Sequence, residues 1–269
     1  MTLSLLHRLS GATDPSESAW ESFHEASKTS PHDHPPSSQE VRRRMTQMTP
    51  SFGYEGYPAH PLPPAPKLEA AFSEVVLGRQ TARDIGPCRL TDEQLAALLF
   101  YSVGETRDET ASGFPRPFRV TPSGGAMYPL ELYIHANRAE RLESGVHHYH
   151  PGRHVLRRLI EGDQTRRLSA GFVQHTLPLE CGVLVFITGV FERSTFKYGE
   201  RGYRFTLLEA GHVAQNLVLT ASALGLRAVT VGGFFDRDVD ELLGLDGLEQ
   251  STLYVVAIGA PTGRDWLGI

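Results

Sequence analysis

From Lys67 onward, apolar positions recur at spacings that alternate between helix and strand. Leu68 to Leu77 has helical spacing. Thr91 to Val103 repeats it: Leu95, Leu98 and Leu99 share one face, Thr91 and Gln94 fit a capping box, and Gly104 follows as a terminator. Leu130 to His135 reads as a strand, and Gly145 to Leu159 as a hairpin turning at Pro151-Gly152. Cys181 to Phe191 is continuously apolar, as a strand buried on both faces should be. Arg204 to Leu224 is the longest helical pattern, closed by Gly225. Ala228 to Val231 and Thr252 to Ile258 give two more strands. Between them Asp236 is expected to cap a short helix ending near Gly244. No internal repeat is visible. Strands separated by helices predict an α+β or α/β domain.

Residues 1–66 follow no such pattern. They hold more than half of the chain's 18 prolines. Proline lacks an N–H and clashes with the preceding turn, so long helices and central strands are not expected there. Trp20, Phe23, Phe52, Tyr54 and Tyr57 favour an ordered arm wrapped on the domain, because disordered leaders are poor in aromatics. The expected organisation is a proline-rich arm, 1–66, and one domain, 67–269.

The chain has 269 residues, 40% of them hydrophobic, and a formal charge of -5. That balance gives no general pull toward nucleic acid or an anionic membrane. The N-terminal apolar stretch is broken at His7 and Arg8, too early for a signal peptide. The run Cys181 to Phe191 is about half of the ~20 residues a spanning helix needs. A soluble, cytoplasmic protein is expected, with no nucleic-acid or membrane partner. The two cysteines, Cys88 and Cys181, form no C-x-x-C pair, which speaks against a disulfide framework and a thiolate zinc site.

Four segments carry candidate chemistry. In GRQTARDI, Gly78 to Ile85, Arg79 and Arg83 flank Thr81: guanidinium forks and a hydroxyl suit a phosphate, although two arginines four apart also suit a solvated face. In TPSGGAMYP, Thr121 to Pro129, adjacent glycines let backbone approach a flat ligand, or simply form a loop. TVGGFFDRD, Thr230 to Asp238, runs a strand into paired glycines whose N–H groups could face a ligand, or merely turn into a helix. Lys197 and Tyr198 are adjacent ionisable groups ahead of the long helix: either a base and its partner, or an exposed lysine beside a packing tyrosine. There is no dinucleotide G-x-G-x-x-G, P-loop lysine or G-x-S-x-G elbow.

The histidines are read conservatively. In HHYHPGRH, His147 to His154, a hairpin puts His148 and His150 on one face and His147 on the other, with no acid in the run, so no metal site is assigned. Glu209 and His212 resemble half of a di-iron motif without a second half, and are read as a local hydrogen bond.

The four segments stand in a recognisable order, together with LTDEQLAALLFYSVG, GVHHYHPGRHVLRRL, KYGERGYRFTLLEAGHVAQNLVLTASALGL and LYVVAIGAP. From about Phe72 to Pro261 the chain resembles the SagB-type dehydrogenases, the azoline oxidase-like branch of the FMN-dependent nitroreductase family. FHEASKTS, Phe23 to Ser30, is similar to the arm such proteins carry. The resemblance implies an α+β nitroreductase-like fold with a central mixed sheet flanked by helices, in an intertwined homodimer with FMN at the subunit interface. It implies that Arg79, Thr81 and Arg83 hold the FMN phosphate and ribityl chain. Pro122, Ser123, Gly124 and Gly125 would lie against the isoalloxazine, with Gly232 and Gly233 facing its N5 edge. Arg264 would complete the phosphate site. Lys197 and Tyr198 match the catalytic pair of azoline oxidases. The usual RRS-x-R is here RQT-x-R: Thr81 keeps the hydroxyl, while Gln80 removes one charge.

The activity so implied is dehydrogenation of a thiazoline or oxazoline ring, with Lys197 and Tyr198 removing a proton and oxygen as final acceptor. A lysine with a reference value of ~10.4 needs a dry or cationic site to serve as a base near neutrality. The substrate could be a peptide, a carrier-bound intermediate or a small molecule. The alternatives are an NAD(P)H-dependent nitro- or quinone reductase and a non-catalytic flavin-binding component of a peptide-modifying complex. Fold does not choose among them.

Overall fold

The structure is a computed structural model that describes residues 18–83, 85–136 and 138–262. Its centre is an eight-stranded sheet. Strands β1 (Ala59–Pro61), β2 (Ile85–Gly86), β5 (Leu130–Ala136), β6 (Gly145–His150), β7 (Val155–Glu161), β8 (Val183–Val190), β9 (Arg227–Val231) and β10 (Gln250–Pro261) form it, while β3 (Glu105–Arg107) and β4 (Phe118–Arg119) make a separate ribbon. The order is β1-β7-β6-β5-β8-β10, with β9 and β2 sharing the outer edge of β10. Every ladder among the described strands is antiparallel, and parallel pairing is confined to the Leu90–Ala139 bridge. The expected α+β class holds. The mixed sheet becomes antiparallel within one chain because β5, β6 and β7 follow one another as a meander, which pairs antiparallel by construction.

The apolar run of β8 is buried on both faces, as its composition predicts. Val185 and Ile187 point to one cluster, with Leu95 and Leu98 of α4 and Val213 and Leu217 of α8. Leu184 and Phe186 point to the other, with Phe172, Val239 and Leu242. Here α1 is Ala19–Ala26, α2 Ser38–Gln47, α3 Phe72–Gly78, α4 Asp92–Val103, α5 Thr165–Ala170, α6 Leu177–Glu180, α7 Glu192–Tyr198, α8 Glu200–Ala223 and α9 Asp236–Leu243. Helix α4 starts in the reciprocal capping box of Thr91 and Gln94 and stops at Gly104. The 145–159 hairpin turns through Pro151–Arg153. Three boundaries move. Helix α3 begins at Phe72 instead of Leu68, after an extended stretch whose Pro66 carbonyl accepts from Tyr101 Oη. Helix α8 begins at Glu200, four residues early, where Gly199 at φ 55° reverses the chain. Asp236 is the first helical residue of α9 and not its cap; Phe235 holds that place, its N–H donating to Gly171 O.

The described part of the segment before residue 67 is fastened by buried arginines. Arg116 donates to the carbonyls of Met45 and Met127, and Arg119 to that of Pro50. Burial pushes the Arg116 guanidinium down to about 10. Tyr54 Oη bonds Tyr133 Oη at 2.9 Å, and Phe23 packs edge-on against Tyr203. Helix α2 is capped by Ser37, whose side chain accepts from Glu40 N–H. The described prolines of this segment stay outside the helices, and β1 is an edge strand, the positions proline tolerates.

Candidate active site

The loop from Thr121 to Pro129 is built before any ligand need be considered. Ser123 Oγ accepts from Tyr128 N–H at 2.9 Å, and Asn216 donates to Thr121 Oγ1. Gly124–Ala126 form one 3-10 turn, in which Gly125 has φ 64° and ψ 20°. Ala126 and Tyr128 also have positive φ, so the loop stores strain that its hydrogen bonds must hold.

Gly125 meets the lysine-tyrosine pair. A Cβ placed on it would lie 2.5 Å from Tyr198 Oη and 2.6 Å from Lys197 Nζ. Both groups come from the last turn of α7, and both are partly buried. Lys197 Nζ sits 4.9 Å from the Tyr198 ring centroid, and Tyr198 packs edge-on against Phe205 of α8. Lys197, Ser123 and Gly125 open onto a cleft of about 820 Å³ that also reaches α2 and the β3–β4 ribbon.

Helix α7 is held in place by charge. Arg193 Nη1 pairs with Glu131 Oε1 at 2.6 Å, and both side chains are buried. Glu131 also accepts from Ser51 Oγ and Phe52 N–H, and bonds His148 Nε2 at 2.7 Å. Burial works against its negative charge, but Arg193, His148 and Arg119 outweigh that and hold the carboxyl at about 2. This network joins the segment before residue 67, β5, β6 and α7 at one point. His148 thus has a structural partner, and the described residues contain no group of three metal-type side chains.

Glu209 is engaged elsewhere than its sequence spacing suggests. It is buried and hydrogen-bonded to Ser123 of the glycine loop, while His212 is exposed. Burial pushes its carboxyl up to about 7, against the opposing pull of Ser123 and Arg119.

The other segments lie apart. Ala82, between Thr81 and Arg83, donates to Ala228 O at the start of β9, and Gly232–Gly233 follow the end of β9. Strands β8 and β10 separate β9 from β5, which puts roughly 14 Å of sheet between them. Thr81 and Arg83 are exposed and Arg79 is partly buried. A Cβ on Gly232 would meet only Tyr254 at 4.0 Å, and on Gly233 only Val173 at 3.5 Å, so this chain's own packing does not require glycine at either place. Arg264 lies outside the described residues. One chain therefore joins Pro122–Gly125 to Lys197 and Tyr198, and separately brings the 79–83 segment and Gly232–Gly233 to the β9 edge.

Sequence reasoning missed Arg119, Glu131 and Arg193. The available signal was a lone acid inside the apolar strand LELYI, which has to find a buried cation.

The nitroreductase family pattern matches residues 76–260. Among curated proteins, MJ1384 of Methanocaldococcus jannaschii, which is named as a nitroreductase, is 35% identical over 175 residues, covering 65% of this chain and 85% of its own length. The Microcin B17-processing protein McbC of Escherichia coli is 32% identical over 148 residues, covering 52% of this chain but 54% of its own. Among solved structures, a nitroreductase-named protein of Anabaena variabilis superimposes with a TM-score of 0.70 at 22% identity, covering 90% of this chain and 47% of that one. A chain of the E. coli microcin synthetase McbBCD complex with truncated pro-MccB17 bound gives 0.56 at 24% identity, over 88% of this chain and 85% of that one.

Proposed function

Because this chain belongs to the nitroreductase family, we propose that it is an FMN-dependent dehydrogenase of the SagB type that oxidises a thiazoline or oxazoline ring to the azole. The observation that carries the reading is the meeting of Gly125 with Lys197 and Tyr198. A flat ring laid on a side-chain-free loop would have the two ionisable groups at its edge. Similarity to McbC, a microcin B17-processing protein, supports a natural-product precursor as substrate.

The residues fit FMN. Gly232 and Gly233 leave open space for the edge of an isoalloxazine, the backbone of the Pro122–Gly125 loop would lie against its face, and Arg79, Thr81 and Arg83 carry donors suited to its phosphate, with Arg264 expected to add another from outside the described residues. The two sets stand on different parts of the sheet, so the complete site would form in a homodimer. Exposed apolar side chains on α3 and α8, Phe72, Leu77 and Leu208 among them, support such an interface. Bound FMN would supply the hydride acceptor and pass electrons on to oxygen. Lys197 takes the proton from the ring carbon next to the carbonyl, and Tyr198 Oη, beside it at Gly125, orients the ammonium so formed. The Glu131–Arg193 pair keeps the helix that carries them in position.

A visible spectrum of the purified protein, followed by a mass assay for loss of two hydrogens from a thiazoline, tests the reading. Colourless protein that cannot be loaded with FMN removes it. The similarity to MJ1384, named as a nitroreductase, favours a second reading, a nitroreductase, and we extend it to an NAD(P)H-dependent nitro- or quinone reductase working in the cytoplasm. Rapid bleaching of bound flavin by NADH, with no thiazoline oxidation, would select it.

A further inference from the structure

We propose that the cleft contains a carboxylate subsite, in which Arg42 and Arg107 hold the free carboxylate of an azoline-carboxylate substrate; this rests on the azoline reading above.

The protein as a whole is acidic, at -5. The cleft is the reverse: Arg42, Arg107, Arg119 and Lys197 line it, and no aspartate or glutamate does. Local acids are occupied elsewhere. On α2, Glu40 binds Arg43 and Arg44, leaving Arg42 to the cleft side. Beside Arg107, Asp108 accepts from Thr110 N–H. Among the described residues neither Arg42 nor Arg107 forms an ion pair with a carboxylate.

The two arginines flank an aromatic platform. Phe114 and Phe118 stack with centroids 4.8 Å apart and planes at 16°. The Arg107 guanidinium lies 5.1 Å from the Phe118 centroid. Arg42 Nη1 lies 3.6 Å from where a Cβ on Gly113 would sit, next to Phe114. Lys197 opens on the same cleft. A flat five-membered ring can rest on the platform side while its carboxylate meets guanidinium forks, the group that matches carboxylate geometry best. Arg42 lies on α2 before residue 67, so that segment supplies half of the clamp. The same arrangement favours a free carboxylate over an amide-linked ring, which offers the two cations no opposite charge.

The test uses the full chain with FMN added and two aromatic, non-reacting probes: thiazole-4-carboxylate and thiazole-4-carboxamide. Calorimetry is expected to give at least tenfold tighter binding of the carboxylate, at low salt. The Arg42→Ala/Arg107→Ala double variant should erase that preference and keep its flavin spectrum, and Arg42→Lys/Arg107→Lys should restore part of it. Both arginines are exposed, so folding is not at stake. Equal binding of the two probes overturns the proposal. So does loss of flavin from the double variant, since the cations would then serve the cofactor phosphate. An arginine-dependent preference in protein that fails to oxidise thiazolines leaves the subsite standing and removes the activity, whereas oxidation without preference removes the subsite alone.

Discussion

Replacing Gly125 by alanine separates stability from activity. Two costs arise at this residue. Its φ of 64° is a left-handed conformation that costs a non-glycine residue about 1 kcal/mol. The new methyl would stand 2.5 Å from Tyr198 Oη and 2.6 Å from Lys197 Nζ. Ordinary contact is ~3.5 Å, so each group must retreat by roughly 1 Å. Both are the far ends of flexible side chains, so the retreat costs the fold little. Thermal unfolding should fall by only about 2–4 °C. Chemistry is less forgiving, because a misplacement of about 1 Å can cost ~100-fold in rate. The expected variant is folded, binds FMN and oxidises thiazolines about 100-fold more slowly. Gly56→Ala is the control: nothing lies within 4 Å of its Cβ and its φ is not positive, so activity should stay within a few-fold. Full activity in Gly125→Ala would refute the assignment of the lysine-tyrosine pair.

Lys197→Ala should stay yellow and lose ~100- to 10,000-fold in thiazoline oxidation, the usual range for a positioned base; full turnover would remove that role. Glu131→Ala strands Arg193 and His148 in the interior and should cost about 3–5 kcal/mol by urea unfolding. The Glu131 carboxyl is depressed to about 2, so its contribution is present above the ordinary carboxylate range and is lost as pH falls toward 2. Glu209 has the opposite sign. Its folded value of about 7 lies above the unfolded one, so the native state holds a proton that the unfolded state has released. Stability therefore falls as pH rises from about 4.5 to 7, by roughly 3 kcal/mol at most. Glu209→Gln should flatten that slope in pH-dependent urea melts; an unchanged slope would contradict the buried carboxyl.

Elements with strong periodicity were legible from residues alone. The capping box of Thr91 and Gln94, the 145–159 hairpin and the two-faced burial of β8 each follow from local rules that tertiary packing did not override. The β3–β4 ribbon and α2 were not legible, since short elements between prolines and charges carry no period. What fastens them is distant: Arg116 reaches Met45 across 71 residues, and Glu131 reaches Ser51 across 80. The same holds for the site. Glycine pairs and a lysine-tyrosine dipeptide can be seen in a sequence, but the seating of Lys197 Nζ where a Gly125 Cβ would stand cannot, because it depends on how α7 leaves β8.

The segment before residue 67 ties the core, the glycine loop and α7 together. A guanidinium buried as deeply as those of Arg116 and Arg119 must be given acceptors, and here the chosen acceptors are the backbone carbonyls of Met45 and Pro50. Glu131 makes the same demand with opposite charge and meets it at Ser51 and Phe52. Removing that segment would not merely expose apolar surface; it would leave three buried ionic groups short of partners beneath the glycine loop and α7. The carbonyls come from the last turn of α2 and from the extended stretch after it, the two places where backbone acceptors have no partner within their own element. The arm is thus bound to the site's geometry through the same arginines that line the cleft or brace it.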